Sequence, residues 1–450
     1  MTDIQTKHNA DEKQQIAFVS LGCSKNLVDT ELMMGQATTL GWEIVAELEE
    51  AEIIVVNTCA FIEPAKEESI ETILEIAELK ESGKLKTLVM AGCLAQRYAK
   101  EMQEELSEVD VFIGTGELEK IKNVINGTAN RVELGKQSFL AKAETPRVLA
   151  TPYYTANLKI SEGCSNTCAF CVIPKIRGFQ KSRSLNDIIA ETGKLLKDGV
   201  RELCIIGQNV SAYGDDLENS DNLVKLLQQP ELVEGDHWVR LHYLYPNRVT
   251  KEVIQAMVDA PAVLPYVDIP IQHIDSQMLK TMRRKDDEKS TRLAIDTIRN
   301  IMPDAVLRTS LVVGFPGETE QQFQKLYDFV AEGHFEHLGV FTYSREEGTI
   351  AYSLKDQVEE QIKQERMDAL MQLQQEISEE RLERFLGKTI SVLVEGQSEE
   401  HELLTSGRAF SQAAEIDGVT YITDGEVKPG EIQQVEIIST HVHDMEGIIV

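Results

Sequence analysis

The chain has 450 residues, 42% hydrophobic and 27% charged, a composition that fits a soluble globular protein of roughly two to four domains. No apolar stretch reaches the roughly 18 residues of a membrane-spanning helix, and the polar stretch Met1 to Gln15 lacks the apolar centre of a signal peptide. The formal net charge of −30, from 75 acidic and 45 basic residues, argues against nucleic acid as the main partner and for a basic one.

Residues 1–15 read as a disordered lead-in. A first domain is expected over 16–127. It holds three apolar runs that each end in a cysteine, at Cys23, Cys59 and Cys93, and a fourth run from Val109 to Gly114. Helical patterns fit between them at Leu27–Leu40, Glu67–Ser82 and Gln96–Leu106. Short apolar runs alternating with helical patterns predict an open parallel α/β sheet. Ligands of such sheets gather at the carboxyl ends of the strands, where all three cysteines fall. They are far apart in sequence, so only a sheet that gathers strand ends can join them. They are either three core cysteines or the ligands of an iron–sulfur cluster with one open iron. Residues 128–154, punctuated by Pro146 and Pro152, read as a linker.

A second domain is expected over 155–382. Strands are predicted near Leu158–Ile160, Glu202–Gly207, Trp238–Tyr243, Tyr266–Ile271, Val306–Val313 and His337–Phe341, with helices such as Asn186–Asp198 and Lys289–Ile301 between them. Six such units predict a partial (β/α)6 barrel, with its site on the loops after the strands.

The loop after the first strand reads Cys164-Ser-Asn-Thr-Cys168-Ala-Phe170-Cys171. Thiolates spaced C-x3-C-x2-C select iron–sulfur or zinc. A zinc site needs a fourth ligand, and no fourth Cys follows nor does any His lie between Leu158 and Pro174. Three thiolates on a four-iron cluster leave one iron open for a ligand. Arg177 and Arg183, downstream, either hold a carboxylate through their guanidinium forks or are solvated at the surface. Gly207-Gln208-Asn209, Asp268 to His273 and Gly314-Phe-Pro-Gly317-Glu318 read as further site loops, the last allowing close backbone approach. Of the seven cysteines, Cys204 alone lies outside these sets and reads as a buried inert thiol. An odd cysteine count without a secretory signal points to a cytoplasmic location and to metal ligation.

Glu359 to Arg384 reads as a long helix packed on the barrel through Met367, Leu370, Met371, Leu373, Ile377 and Leu382. A third domain is expected over 387–450, with strands Thr389–Val394, Leu403–Leu404, Thr420–Ile422, Gln434–Ile438 and Gly447–Val450 forming a small antiparallel, OB-like β-barrel. Its twelve Asp and Glu stand against three Lys and Arg.

Together these features resemble the methylthiotransferase family of radical S-adenosylmethionine enzymes, over nearly the whole chain. The motifs are Leu-Gly-Cys23-Ser-Lys-Asn26, Asn57-Thr-Cys59, Gly92-Cys93, Glu162-Gly-Cys164 with Cys168 and Cys171, and Gly314-Phe-Pro-Gly-Glu-Thr319. The third domain resembles a TRAM domain. The resemblance implies two [4Fe-4S] clusters and S-adenosyl-L-methionine as cofactors. Cys164, Cys168 and Cys171 would hold the cluster that cleaves S-adenosylmethionine to a radical. Cys23, Cys59 and Cys93 would hold the cluster that supplies sulfur. Phe170 would lie near the adenine, and Gly314, Gly317 and Glu318 would border the cofactor. It singles out no catalytic side chain beyond the cluster ligands. A flavodoxin or ferredoxin would supply electrons.

The family divides by substrate. Pro270-Ile-Gln-His273-Ile-Asp275 and Gly407-Arg408 with Ala414 to Gly418 resemble the RimO-type branch, which modifies the β-carbon of an aspartate in small-subunit ribosomal protein S-twelve. Ala414 departs from that branch, where a proline is usual. The acidic third domain suits a basic ribosomal protein and leaves RNA contact secondary at most. The other reading within the family is a transfer-RNA adenosine methylthiotransferase. The reading outside it is a ribosome-bound iron–sulfur redox sensor.

Overall fold

The computed structural model describes residues 13–136, 139–398 and 404–450. Most of the expected lead-in lies outside the described residues. The chain divides into two compact units, one of residues 1–150 with 175–178, the other of 151–174 with 179–450.

The first unit is built on a six-stranded parallel sheet of order β2-β1-β3-β4-β5-β6. Its strands are β1 (Gln15–Ser20), β2 (Glu43–Ile44), β3 (Ile53–Thr58), β4 (Thr87–Gly92), β5 (Val111–Gly114) and β6 (Val132–Glu133). Every residue of β3 is buried, as expected for a central strand with both faces covered. Helix α1 (Ser24–Thr39) follows β1 and helix α2 (Glu63–Ala77) follows β3.

Helix α2 starts earlier than its apolar pattern predicts, because Pro64 stands in the first turn, where a missing N–H costs no helical bond. The pattern expected to run to Ser82 breaks at Glu78 and resumes as a short turn, Leu79–Ser82. The edge strands β2 and β6 are each two residues long and too short to show a period. Strand β6 comes from the stretch read as a linker.

The second unit holds β7 (Thr155–Lys159), a short hairpin of β8 (Ser161–Glu162) with β9 (Lys181–Ser182), and then β10 (Glu202–Ile206), β11 (Trp238–Leu241), β12 (Val263–Asp268), β13 (Val306–Val313) and β14 (His337–Thr342). These form a six-stranded all-parallel sheet of order β14-β13-β12-β11-β10-β7. This is the expected partial barrel, unclosed. Burial alternates along β13, with Arg308, Ser310 and Val312 on its half-exposed face.

The long helix, Glu360–Leu382, packs on this core through a partly polar stripe. Lys363, Arg366, Leu370, Gln374 and Ile377 are buried, spaced three and four apart. Met367, Met371 and Leu373, named by the apolar pattern, are only half-buried. The polar members find acceptors: Lys363 Nζ donates to the Tyr343 carbonyl at 2.9 Å and Gln374 Nε2 to the Phe335 carbonyl at 3.2 Å.

The closing barrel has strands β15 (Thr389–Gln397), β16 (Thr405–Ala409), β17 (Thr420–Asp424), β18 (Ile432–Thr440) and β19 (Met445–Ile449), in the closed order β15-β16-β17-β19-β18. All pairings are antiparallel except β17 with β19. Of the strand expected at Leu403–Leu404, Leu403 lies outside the described residues, and the observed strand starts at Thr405.

This barrel and the six-stranded core fold as one unit. Tyr154, Trp238, Leu264, Tyr266, Val306, Leu393 and Ala413 share one apolar cluster. Arg408 donates to Glu202 and Glu395, Arg240 donates to Glu202 at 2.9 Å and to the Phe410 carbonyl at 2.8 Å, and Asp417 accepts from Tyr266 Oη at 2.7 Å. Arg408 and Asp417 lie in the two segments singled out by the sequence, Gly407-Arg408 and Ala414 to Gly418. Both face the core, where a buried charge is tolerated only beside its counter-charge.

Candidate functional site

The first unit brings its three cysteines together at the carboxyl end of the sheet. Cys23 is the N-cap of α1, Cys59 follows β3 directly, and Cys93 opens the helix Cys93–Glu105. The turn before Cys23 needs glycine: Gly22 has φ +88, and a Cβ there would stand 2.8 Å from Cys59 Cβ. Cys23 acts on the ionisation of Cys59, and both act on that of Cys93. Burial, with the neighbouring Cys23 and Cys59, pushes Cys93 up to about 12. Burial, with Cys23, raises Cys59. At Cys23 desolvation is outweighed by Lys25, Arg177 and the N–H groups of Asn26 and Lys25, which hold the thiol below its ordinary value.

Asn26 joins the three loops. Its Nδ2 donates to the Leu21 carbonyl at 3.0 Å, before Cys23, and to the Thr58 carbonyl at 2.9 Å, before Cys59. Its Oδ1 lies 3.5 Å from Cys93 Sγ. Asn57 Nδ2 donates to the Asn26 carbonyl at 2.8 Å and Thr58 Oγ1 to the Ala91 carbonyl at 2.6 Å. The motif contained Asn26 and Asn57, but their function as fasteners needs distances that a sequence lacks.

In the second unit Cys164, Cys168 and Cys171 lie on the loop after β8. Ala169 anchors this loop on both sides: its N–H donates to the Met282 carbonyl and its carbonyl accepts from Ala351 N, each at 2.8 Å. Ala169 also joins an apolar cluster with Met278, Met282, Phe315, Tyr343 and Ala351, and Phe170 packs against it. Burial, together with Cys168 and Cys164, pushes Cys171 up to about 12, and burial raises Cys164. Tyr245 Oη stands 3.7 Å from Cys168 Sγ. Burial raises its pKa, so the phenol stays a donor at neutral pH. Arg284 covers its ring at 3.8 Å.

Both thiol sets fit an iron–sulfur cluster in donor chemistry. Three thiols gathered in one place are soft anionic donors when ionised, the ligand type that clustered irons take. Among the described residues no three His, Cys, Asp or Glu side chains are placed to hold a single ion. Cys204, buried with its pKa pushed up to about 12, is the inert thiol expected.

The glycine-proline loop closes beside the second set. Phe315 meets Phe170 and Tyr343 edge to face. Gly314 (φ +70) carries the stem of Lys363, whose Cγ would lie 2.2 Å from a Cβ at that position. Gly317 donates its N–H to the Asp356 carbonyl at 2.8 Å. The Glu318 side chain is fully buried. It accepts from Gly314 N at 2.5 Å and Arg366 at 2.7 Å, and lies 3.1 Å from His273 Nε2. Its carboxylate braces the loop from inside.

The other predicted loops also bind their own framework. Gln208 Nε2 donates to Glu162 at 2.6 Å, and Lys159 Nζ donates to the same carboxylate at 2.8 Å. Asp268, 1% exposed, accepts from Tyr243 N at 2.9 Å. Tyr243 and Gln272 adopt left-handed backbone, with φ +61 and +70, strain that clusters at functional loops. Both arginines hold carboxylates of this chain: Arg183 pairs with Asp187 and Glu191, and Arg177 with Asp29. Neither is solvated, at 2% and 3% exposure.

Residues 15–114 match an uncharacterized protein family, UPF0004, residues 158–330 the radical SAM superfamily and residues 386–450 the TRAM domain. A radical S-adenosylmethionine methyltransferase, TsrM from Kitasatospora setae, solved with cobalamin and a [4Fe-4S] cluster, shares the fold. Its TM-score is 0.54 at 14% identity over 74% of this chain and 75% of that one. The ribosomal protein uS12 methylthiotransferase RimO of Bdellovibrio bacteriovorus is 44% identical over 99% of both chains. That of Clostridioides difficile is 44% identical over 96% of this chain and 98% of its own. With two such thiol sets, this fold and relatives matched from end to end, the chain belongs to the ribosomal protein uS12 methylthiotransferase RimO family of radical SAM enzymes.

Proposed function

We propose that this chain adds a methylthio group to the β-carbon of an aspartate in ribosomal protein uS12, the small-subunit protein S-twelve. The observation that carries the reading is the pair of three-thiol sets, one at the strand ends of each parallel sheet. Cys164, Cys168 and Cys171 would hold one [4Fe-4S] cluster, and Cys23, Cys59 and Cys93 a second. The first cluster, when bound, supplies the electron that cleaves S-adenosylmethionine, and the second supplies sulfur.

The protein's own residues provide position and shielding. Phe170, at the edge of a dry aromatic wall with Phe315 and Tyr343, gives the adenine a flat apolar surface. Gly314 and Gly317, on either side of Phe315, would border the cofactor, and Glu318 holds that loop in place. Tyr245 Oη stands beside Cys168 Sγ and helps to fix the position of that thiol. A flavodoxin- or ferredoxin-type protein is the electron donor, and the reaction takes place in the cytoplasm.

The substrate assignment rests on kinship and charge. Arg408, one of three basic residues of the closing barrel, is turned inward, while Glu415, Asp424 and Glu426 are exposed. The remaining acidic exterior repels phosphate and attracts a basic ribosomal protein, free or within the small subunit.

The test compares the masses of uS12 and of digested transfer RNA from cells with and without this gene. Loss of a methylthio group from uS12 alone supports the reading. Loss from a transfer-RNA adenosine alone sinks it and installs the other substrate.

A further inference from the structure

One buried guanidinium in the first unit has no task in the chemistry above. Arg177 belongs to the segment Lys175–Gly178, which folds with this unit. It is 3% exposed. It donates to Asp29 Oδ2 at 2.9 Å, to Asn26 Oδ1, and to Cys93 Sγ at 3.5 Å. Asp29 is itself 1% exposed. The pair is therefore neutral overall, and the guanidinium keeps its charge out of water. Its planar fork lets one group face a carboxylate, an amide oxygen and a sulfur together, which an ammonium on a flexible stem does less well.

A charged donor on a ligating sulfur draws density away from it. The more negative, reduced form of a cluster gains most from that, so the potential rises. We propose that Arg177 is a positioning residue that raises the reduction potential of an iron–sulfur cluster held by Cys23, Cys59 and Cys93, through its hydrogen bond to Cys93 Sγ. The inference rests on the reading that these three cysteines hold a cluster. Asn26 fixes the geometry, since the same Oδ1 that receives Arg177 lies 3.5 Å from that sulfur.

The test uses the full chain with Cys164, Cys168 and Cys171 replaced by Ala, reconstituted anaerobically with iron and sulfide. Only the first-unit cluster then remains. Its potential is read by paramagnetic resonance during titration with dithionite, in this parent, in Arg177→Lys and in the paired variant Arg177→Gln with Asp29→Asn. The paired variant removes both charges, so no lone buried carboxylate is left to unfold the unit. The paired variant should bind a full complement of iron and titrate at a more negative potential. Arg177→Lys should move the same way by a smaller step. Asp29→Asn alone leaves the positive charge uncompensated and should move the potential the other way.

A potential unchanged in the paired variant overturns the proposal. If that variant takes up no iron, Arg177→Lys decides, and an unchanged potential there overturns it. Loss of iron from both makes Arg177 an assembly residue and overturns the tuning role. A parent that binds no iron refutes the cluster reading itself, which the iron count separates from any result on potential.

Discussion

Phe170 and Phe315 meet edge to face, with ring centroids 6.4 Å apart and planes at 80°. One stands directly before the last cysteine of the C-x3-C-x2-C loop. The other stands between the two glycines of a loop more than a hundred residues later. Their contact makes one wall of two motifs.

Phe315 is fully buried and also packs on Tyr343. Phe315→Ala should therefore cost about 3 to 5 kcal/mol of stability, seen as a lower chemical-denaturation midpoint. Phe170 is only half-buried. Phe170→Ala should cost far less stability, and weaken S-adenosylmethionine binding in calorimetry of the reconstituted protein. A Phe170→Ala protein with unaltered affinity would remove this ring from the cofactor's surroundings.

The two thiol sets should separate in function. Replacing Cys164, Cys168 or Cys171 by Ala should abolish the release of 5′-deoxyadenosine from S-adenosylmethionine under reducing conditions. Replacing Cys23, Cys59 or Cys93 should leave that release intact and stop sulfur insertion. Chromatography of the nucleoside with mass analysis of the substrate reads both, and continued methylthiolation by the second group of variants would end the division of labour.

Asn26→Ala should loosen the first unit and its cluster together. It removes donors to the Leu21 and Thr58 carbonyls and leaves Arg177 with one acceptor fewer. A buried group left unsatisfied costs about 1 to 3 kcal/mol. Iron bound by the first unit should fall in a chain whose Cys164, Cys168 and Cys171 are replaced, while the cysteines themselves remain.

The seam between barrel and core should be acid-sensitive. Burial works against ionised Glu202, but Arg408 and Arg240 outweigh it and hold the carboxyl at about 2, below its ordinary 4.5. A depressed folded-state pKa gives stability that is present above about 4.5 and is lost as the pH falls towards 2. Arg408→Met leaves Glu202 with Arg240 alone and should cost about 3 to 5 kcal/mol. Its acid-unfolding midpoint, followed by circular dichroism, should shift to higher pH.

Much of this was legible beforehand because the signals are local. Apolar runs ending in cysteine marked β1, β3 and β4, since a buried parallel strand needs an uninterrupted apolar run whatever it packs against. The spacing of Cys164, Cys168 and Cys171 lies within a single loop. What escaped was set by partners distant in sequence. Strands β2 and β6 are too short to carry a period. The buried stripe of the long helix includes Lys363, Arg366 and Gln374, which an apolar pattern does not mark. That Arg408 and Asp417 face inward is shown only by their neighbours Glu202 and Tyr266.

The sequence by itself determined the alternation of strands and helices, the two sets of three thiols and the acidic closing barrel, because periodicity and ligand type are properties of short segments. The tertiary structure alone decided that Asn26 fastens the three cysteine loops, that Glu318 braces the loop from within, and that Arg177 lies against Cys93. The physical reason is that a buried polar group must find its partner across the fold, and the identity of that partner is written in no single stretch of the chain.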